Sequence, residues 1–304
     1  MKITLTITSL VVSIVSICWM SFRDHPIRFT ASDRRFSERY GSWAILAGAS
    51  QGLGAAWAHT LCELHVNVLL VARRETETRQ LANELMSNYP DIQVDVLIQD
   101  LAASDLDQAF DDVINYKHRD REYGMLVYNA AYVPMGSFVD SSLEAQQLSV
   151  NVNIRGVLSL THILSNHIRA RNGTGGIILM SSLVGELGTA GVSNYAGTKA
   201  WNTAFAHGLR HELSPLGMDV LACVAGPTTT PNYLQVTNVA NRKYVMEQTA
   251  QAVVSECAQA IGSRSSVRTG IMNKIARFLL VRVLPLEMAI KILNNEAGKV
   301  MILN

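Results

Sequence analysis

The 304-residue chain is poor in cysteine, and none of its four cysteines stands at a metal-ligand spacing. Cys18, Cys62, Cys223 and Cys257 are scattered, without a C-x-x-C pair and without a histidine at ligand distance. This argues against a structural zinc or any other metal, argues against a disulfide framework, and suits a reducing compartment. Charge imbalance is lacking as well. The net charge is +1, so no whole-chain electrostatic case for a nucleic-acid partner exists. Internal repeats and low-complexity tracts are absent, which removes solenoid and tail-like architectures.

Charge is missing altogether from residues 3–22, a stretch long enough to cross a hydrocarbon core as a helix. Lys2 precedes it, and Arg23, Arg28, Arg34, Arg35 and Arg39 follow. A transmembrane or signal-anchor helix over 1–22 is expected, with the globular part held to the membrane and facing the cytoplasm. A cleaved signal peptide is the rival reading, and a peripheral or buried helix the third. Against cleavage, the run Cys18-Trp19-Met20-Ser21-Phe22 offers no small-residue site. Residues 23–42, charged and carrying Pro26, read as a linker.

What is present is apolar: 48% of the chain, ample for a core. Short, largely apolar runs recur at 43–47, 67–71, 92–98, 125–128, 177–180 and 219–224, separated by amphipathic helical segments. Continuous apolar strands alternating with helices indicate a parallel sheet covered on both faces. The expected fold is α/β, a doubly wound parallel sheet (Rossmann fold) forming a single domain over 43–270. A helical segment over 271–304 would follow.

The first strand runs into Gly48-Ala49-Ser50-Gln51-Gly52-Leu53-Gly54 and then a helix. Strand, glycine turn and helix N-terminus together make the setting a dinucleotide needs. One glycine permits the turn, the next lets backbone approach the pyrophosphate, and the helix end offers N–H groups. The second strand lacks a carboxylate at its end, where NAD would need one for its ribose hydroxyl; Arg73 and Arg74 stand there instead. A planar guanidinium suits a 2′-phosphate, so NADP(H) is favoured over NAD(H).

Tyr195 and Lys199 stand four apart within a long helical segment, and so share one helix face. A phenol titrates near pH 10, and a neighbouring ammonium is expected to lower that towards the working range. Alone, a solvated Lys beside a half-exposed Tyr would account for the pair.

Taken in order, these motifs resemble the short-chain dehydrogenase/reductase family over about residues 43–230. The glycine loop matches, Asp100-Leu101 fits the adenine-side position after the third strand, and Asn129-Ala130 fits the core of the stretch after the fourth. Asn153-Ile154-Arg155-Gly156 resembles the segment carrying the family's catalytic Asn, with Asn151 the second choice. Ser182 lies thirteen residues before Tyr195, as the family's catalytic Ser does. Tyr128, Ala131 and Ala225-Gly226-Pro227 depart from the usual pattern, as does Ala47 before the first glycine. Thr230 still fits the Thr at the nicotinamide end.

The resemblance implies an oxidoreductase acting on hydroxyl/carbonyl pairs. Tyr195 would be the general acid/base, Ser182 a donor to the reacting oxygen, and Lys199 the partner of both Tyr195 and the nicotinamide ribose. Asn153 would hold a water linking Lys199 to solvent. It implies cofactor contacts from Gly48, Ser50, Gln51, Gly52, Leu53, Gly54, Arg73, Arg74, Asp100, Leu101, Asn129, Ala130, Gly226 and Thr230. It also implies a small-molecule substrate and a homo-oligomer built through the helices of Asn153 and Tyr195. The segment 228–245 would grip the substrate. Beyond Gly270 the chain is apolar with interspersed Lys274, Arg277, Arg282 and Lys291, which suits a lid, a dimer contact or a membrane contact. The lead-in to the first strand and the close of the second are similar to the branch of 17β-hydroxysteroid dehydrogenases and long-chain 3-oxoacyl-CoA reductases, whence a lipophilic substrate. The alternatives are a catalytically silent NADP-binding scaffold and an NAD-linked alcohol dehydrogenase.

Overall fold

The computed structural model describes residues 35–237 and 247–300. Six strands form where the apolar runs place them: β1 Trp43–Ala47, β2 Asn67–Ala72, β3 Val94–Ile98, β4 Tyr123–Tyr128, β5 Gly175–Ser182 and β6 Met218–Ala225. A two-residue ladder pairs β7 Thr228–Thr229 with β8 Gln248–Thr249. The strand β9 Ser266–Arg268, too short to show as an apolar run, completes a seven-stranded parallel sheet in the order β3-β2-β1-β4-β5-β6-β9. Residue Ala47 pairs with Val71 on one side and Tyr128 on the other, so β1 lies where the winding reverses. A crevice therefore opens beyond the carboxyl ends of β1 and β4.

The helices are α1 Arg35–Tyr40, α2 Leu53–Glu63, α3 Glu75–Asn88, α4 Leu106–Asp111, α5 Leu143–Val150, α6 Gly156–Ala170 and α7 Ser193–Leu213. After β6 come α8 Pro231–Val236, α9 Ala250–Ala260, α10 Ile271–Phe278 and α11 Leu286–Val300. Successive strand residues face opposite sides, which splits the core into two layers. Leu46, Leu70 and Ile178 pack with Trp57, Leu61, Val253 and Val254 on one face. Ile45, Leu126 and Ile177 pack with Phe110, Leu160 and Leu164 on the other. Every residue of β1 is buried, as expected of a strand covered on both sides.

Two expectations change against the structure. The last part of the segment taken as a linker is α1, whose Phe36 and Tyr40 are fully buried. The Tyr40 hydroxyl donates to Asp219 at 3.1 Å and Arg39 pairs with the same carboxylate, so α1 is fastened to β6 by contacts distant in sequence. Cys223 and Cys257 are not independent thiols but a disulfide, with Cα atoms 5.8 Å apart. They lie 34 residues apart, on β6 and α9, and meet only because α9 packs beneath that strand. Cys62 is a buried free thiol. The apolar stretch 3–22 lies outside the described residues, among which no helix is long and apolar enough to cross a membrane.

Candidate active site

The loop between β1 and α2 is shaped by two glycines. Gly48 has φ 84°, and a Cβ there would meet the Ala130 backbone at 2.6 Å. A Cβ on Gly54 would overlap the Gly48 carbonyl oxygen, so this glycine lets α2 close onto the loop. The segment after β4 latches the turn: Ala130 N–H donates to the Ala47 carbonyl at 2.8 Å, and Asn129 Nδ2 donates to the Gly48 carbonyl at 2.8 Å. No side chain caps the first turn of α2, which leaves backbone N–H groups for an anion.

At the end of β2, Arg74 donates from Nη1 to Gln51 at 2.9 Å and from Nη2 to Ser50 Oγ at 2.8 Å. Its guanidinium is thus held over the glycine loop before any ligand arrives. Arg73 lies 4.0 Å from Asp100, which in turn accepts from Ala102 N–H. Gly226 and Thr230 line the opposite lip, and Thr230 Oγ1 caps α8 by accepting from Tyr233 N–H. Leu101 is buried and lines the floor near Asp100. Of the expected cofactor positions only Gly54 lies off the cleft surface.

Ser182 ends β5, and Tyr195 and Lys199 lie in the first two turns of α7. Ser181 Oγ donates to the Lys199 carbonyl at 2.7 Å, which ties strand to helix directly behind the three side chains. Lys199 is 3% exposed, and its Nζ donates to the Met180 carbonyl at 2.6 Å. That ammonium is 5.5 Å from the centroid of the Tyr195 ring. The expectation that Lys199 lowers the Tyr195 pKa fails in this arrangement. Burial holds the phenol up to about 12, with its hydrogen bond to Ser182 pulling the other way. Burial also brings Lys199 down to about 8, because its charged form is stripped of water.

Asn153 is not part of the cleft lining. It lies in a π-helical turn, Asn151–Arg155, joining α5 to α6, and is fully buried. Its Oδ1 accepts from Tyr132 N–H at 2.9 Å, while Nδ2 donates to the Tyr132 carbonyl, Ser149 and Thr198. Among the described residues its side chain braces the Tyr132 backbone and α7, and no hydrogen bond joins it to Lys199. The departure at Tyr128 has a packing reason: its buried hydroxyl donates to the Val152 carbonyl at 2.6 Å, in space that Gly156 leaves free.

The cleft holding these groups has a volume of about 1340 Å³. That exceeds the roughly 300–1,000 Å³ of one small-ligand pocket and leaves room for a dinucleotide beside a second molecule. Beyond Tyr195 its walls are chiefly apolar, with Val133, Met135, Leu187, Val192, Tyr233 and Leu280 exposed to it. Sequence reasoning missed several contributors. The Met180 carbonyl carries no side-chain signal at all, and Asn273, packed on Gly226, comes from α10.

Residues 42–240 match the family model described as short chain dehydrogenase. The chain belongs to that family. This short chain dehydrogenase is thus an oxidoreductase of hydroxyl/carbonyl pairs. It is 28% identical over 240 residues to a 7beta-hydroxysteroid dehydrogenase of Mediterraneibacter gnavus, an alignment covering 78% of this chain and 89% of that protein. It is 30% identical over 200 residues to a very-long-chain 3-oxoacyl-CoA reductase of Podospora anserina, covering 65% of this chain and 57% of that protein. In three dimensions it matches a structure described by its 7beta-hydroxysteroid dehydrogenase stereoselectivity with a TM-score of 0.78 at 23% identity, over 85% of this chain and 98% of the other. A short-chain dehydrogenase from Sphingobium yanoikuyae in complex with NADPH matches with a TM-score of 0.65 at 24% identity, over 75% and 86%.

Proposed function

We propose that this short chain dehydrogenase uses NADP(H) to reduce the carbonyl group of a lipophilic substrate, with Tyr195 as proton donor. The observation that carries this is the convergence of Ser182, Tyr195 and Lys199 at the carboxyl end of β5, in one cleft with the Arg74 guanidinium. The relatives named for steroid and long-chain acyl substrates, and the neighbour that binds NADPH, support it.

The residues fit the cofactor. Glycine backbone and the uncapped start of α2 would receive the pyrophosphate, and Arg74 with Arg73 the 2′-phosphate. Lys199 would take the nicotinamide ribose hydroxyls. The bound dinucleotide supplies the hydride. Ser182 donates a hydrogen bond to the carbonyl oxygen and so favours the negative charge developing there. Tyr195 gives its proton to the same oxygen. Asn153 holds the Tyr132 loop and α7 in register, and so keeps that donor on target.

A panel of keto steroids, long-chain ketones and simple ketones, followed by NADPH absorbance, tests the reading; consumption confined to simple ketones would defeat it. The coenzyme preference is tested alongside. Arg74→Ala is expected to raise the KM for NADPH by about tenfold or more, from loss of a charge-assisted hydrogen bond worth about 1.5–3 kcal/mol, and to change that for NADH little. An equal loss with both coenzymes would show that Arg74 does not select the phosphate.

We further infer that residues 3–22 anchor the protein to a membrane with this domain on the cytoplasmic side. Their lack of charge and the five arginines that follow support this. So do Ile271, Leu279, Val283 and Leu286, apolar yet exposed on the C-terminal segment. The full chain should stay with membranes through alkaline carbonate extraction, and release into the supernatant would remove the anchor.

A further inference from the structure

Far from the glycine loop in sequence, three charged side chains meet beside the cleft, two of them lining it. Glu186 follows the short 3-10 turn Leu183–Gly185 after β5. Its Oε1 accepts from Arg268 Nε at 2.8 Å, and Arg277 Nε lies 3.0 Å from the same oxygen. Arg268 ends β9, and Arg277 lies in the last turn of α10. All three side chains are mostly buried, with 16% to 20% of their surface exposed. Their charges do not cancel, since one carboxylate faces two guanidiniums. Arg282 adds a further positive field at Arg268. Among the described residues no second carboxylate comes within ion-pair distance of Arg277 or Arg268.

An excess positive charge held largely away from water is costly unless something neutralises it. Proteins keep such a charge where a ligand neutralises it. Arg268 does not reach the cleft surface, but Arg277 and Glu186 do, beside Leu187, Leu280 and Val184. The hydrogen bonds found for the described residues leave both terminal nitrogens of Arg277 unengaged, with only its Nε turned to Glu186. A guanidinium in that state presents the planar fork that binds a carboxylate through two parallel bonds. The dinucleotide's phosphates have their own receptors at α2 and Arg74, so a further anion in this apolar part of the cleft belongs to the substrate.

We propose that Arg277 anchors a carboxylate carried by the substrate, which makes the substrate class lipophilic oxo acids with the reacting carbonyl at Tyr195 and the acid group at α10. This rests on the reductase reading above. It adds a specificity determinant supplied by the C-terminal segment.

The test compares lipophilic oxo acids of graded chain length, each with its own methyl ester, which has the same carbonyl but no charge. The full-length enzyme is assayed with NADPH, and the binding of each compound to the enzyme–NADPH complex is followed by tryptophan fluorescence. At the best chain length the ester KM is expected to exceed the acid KM by at least tenfold. In Arg277→Leu the ratio should fall to about one, and in Arg277→Lys it should stay between. Because it is a ratio within one variant, general damage to the fold cancels. A wild-type ratio near one at every length, or a ratio kept in Arg277→Leu, would overturn the proposal. If no compound is turned over, the reductase reading fails. The anchor is then judged by the binding ratio alone, and acids binding no more tightly than their esters would refute it.

Discussion

Tyr195→Phe is expected to lower kcat for carbonyl reduction about a thousandfold while NADPH binds as before. A positioned general acid contributes roughly 10² to 10⁴ in rate, and this substitution removes the acidic proton and little else. The ring, which lies 5.5 Å from the Lys199 ammonium, remains in place. The protonation state sets a direction as well. With burial holding the phenol up to about 12, Tyr195 carries its proton at neutral pH and starts as a donor. Reduction should therefore be nearly independent of pH between about 6 and 9, as far as this group is concerned. The reverse oxidation needs the phenolate, whose population grows about tenfold per pH unit below the pKa, so its rate should climb through the alkaline range. Steady-state rates in both directions and NADPH fluorescence titration provide the check. Full activity in Tyr195→Phe would mean that the proton comes from elsewhere.

Lys199→Met should give two effects of opposite sign: activity lost by about a hundredfold or more, and a more stable cofactor-free fold. Lys199 is buried, and its pKa is lowered from 10.5 to about 8. Below pH 8 the lysine is charged in both folded and unfolded chains, so the whole desolvation cost is present. At about 1.4 kcal/mol per pKa unit this cost is on the order of 3 kcal/mol. Between pH 8 and 10.5 the unfolded chain binds more protons than the folded one, so wild-type stability rises with pH across that window. Methionine carries no charge and fits a similar volume. Its gain at pH 7 is offset by roughly 2 kcal/mol for the lost charge-assisted hydrogen bond to the Met180 carbonyl, which leaves about 1 kcal/mol. Chemical denaturation at pH 7 and pH 11 measures this. The advantage of the variant should shrink at the higher pH. A variant less stable at pH 7, or an advantage independent of pH, would show that the ammonium is not held at an energetic cost. A site that keeps its lysine at such a cost trades stability for function.

The sheet and its cleft were legible because their signals are local. Six of the seven strands of the main sheet follow from largely apolar runs, as expected of a parallel sheet covered on both faces. Gly48 and Gly52, then Arg73 and Arg74, sit beyond strand ends on the cleft that suits the nucleotide. Tyr195 and Lys199 share a helix face by spacing alone. Less legible was anything made by contacts between distant segments. The disulfide of Cys223 with Cys257, the docking of Tyr40 on Asp219 and the pairing of Arg277 with Glu186 leave no periodic trace. The charge state of the site was out of reach for the same reason. Spacing suggested that Lys199 acidifies Tyr195, but burial dominates both groups, and burial belongs to the folded chain.

Sequence by itself determined the α/β class, the cofactor end of the cleft and which hydroxyls are proposed to react, because each depends on neighbours within a turn or a strand. Tertiary structure decided where Asn153 spends its hydrogen bonds, which carbonyl receives Lys199, and that Arg277 of α10 lines the cleft. Those outcomes depend on which surfaces lose their water together, a property no stretch of chain possesses before it is packed.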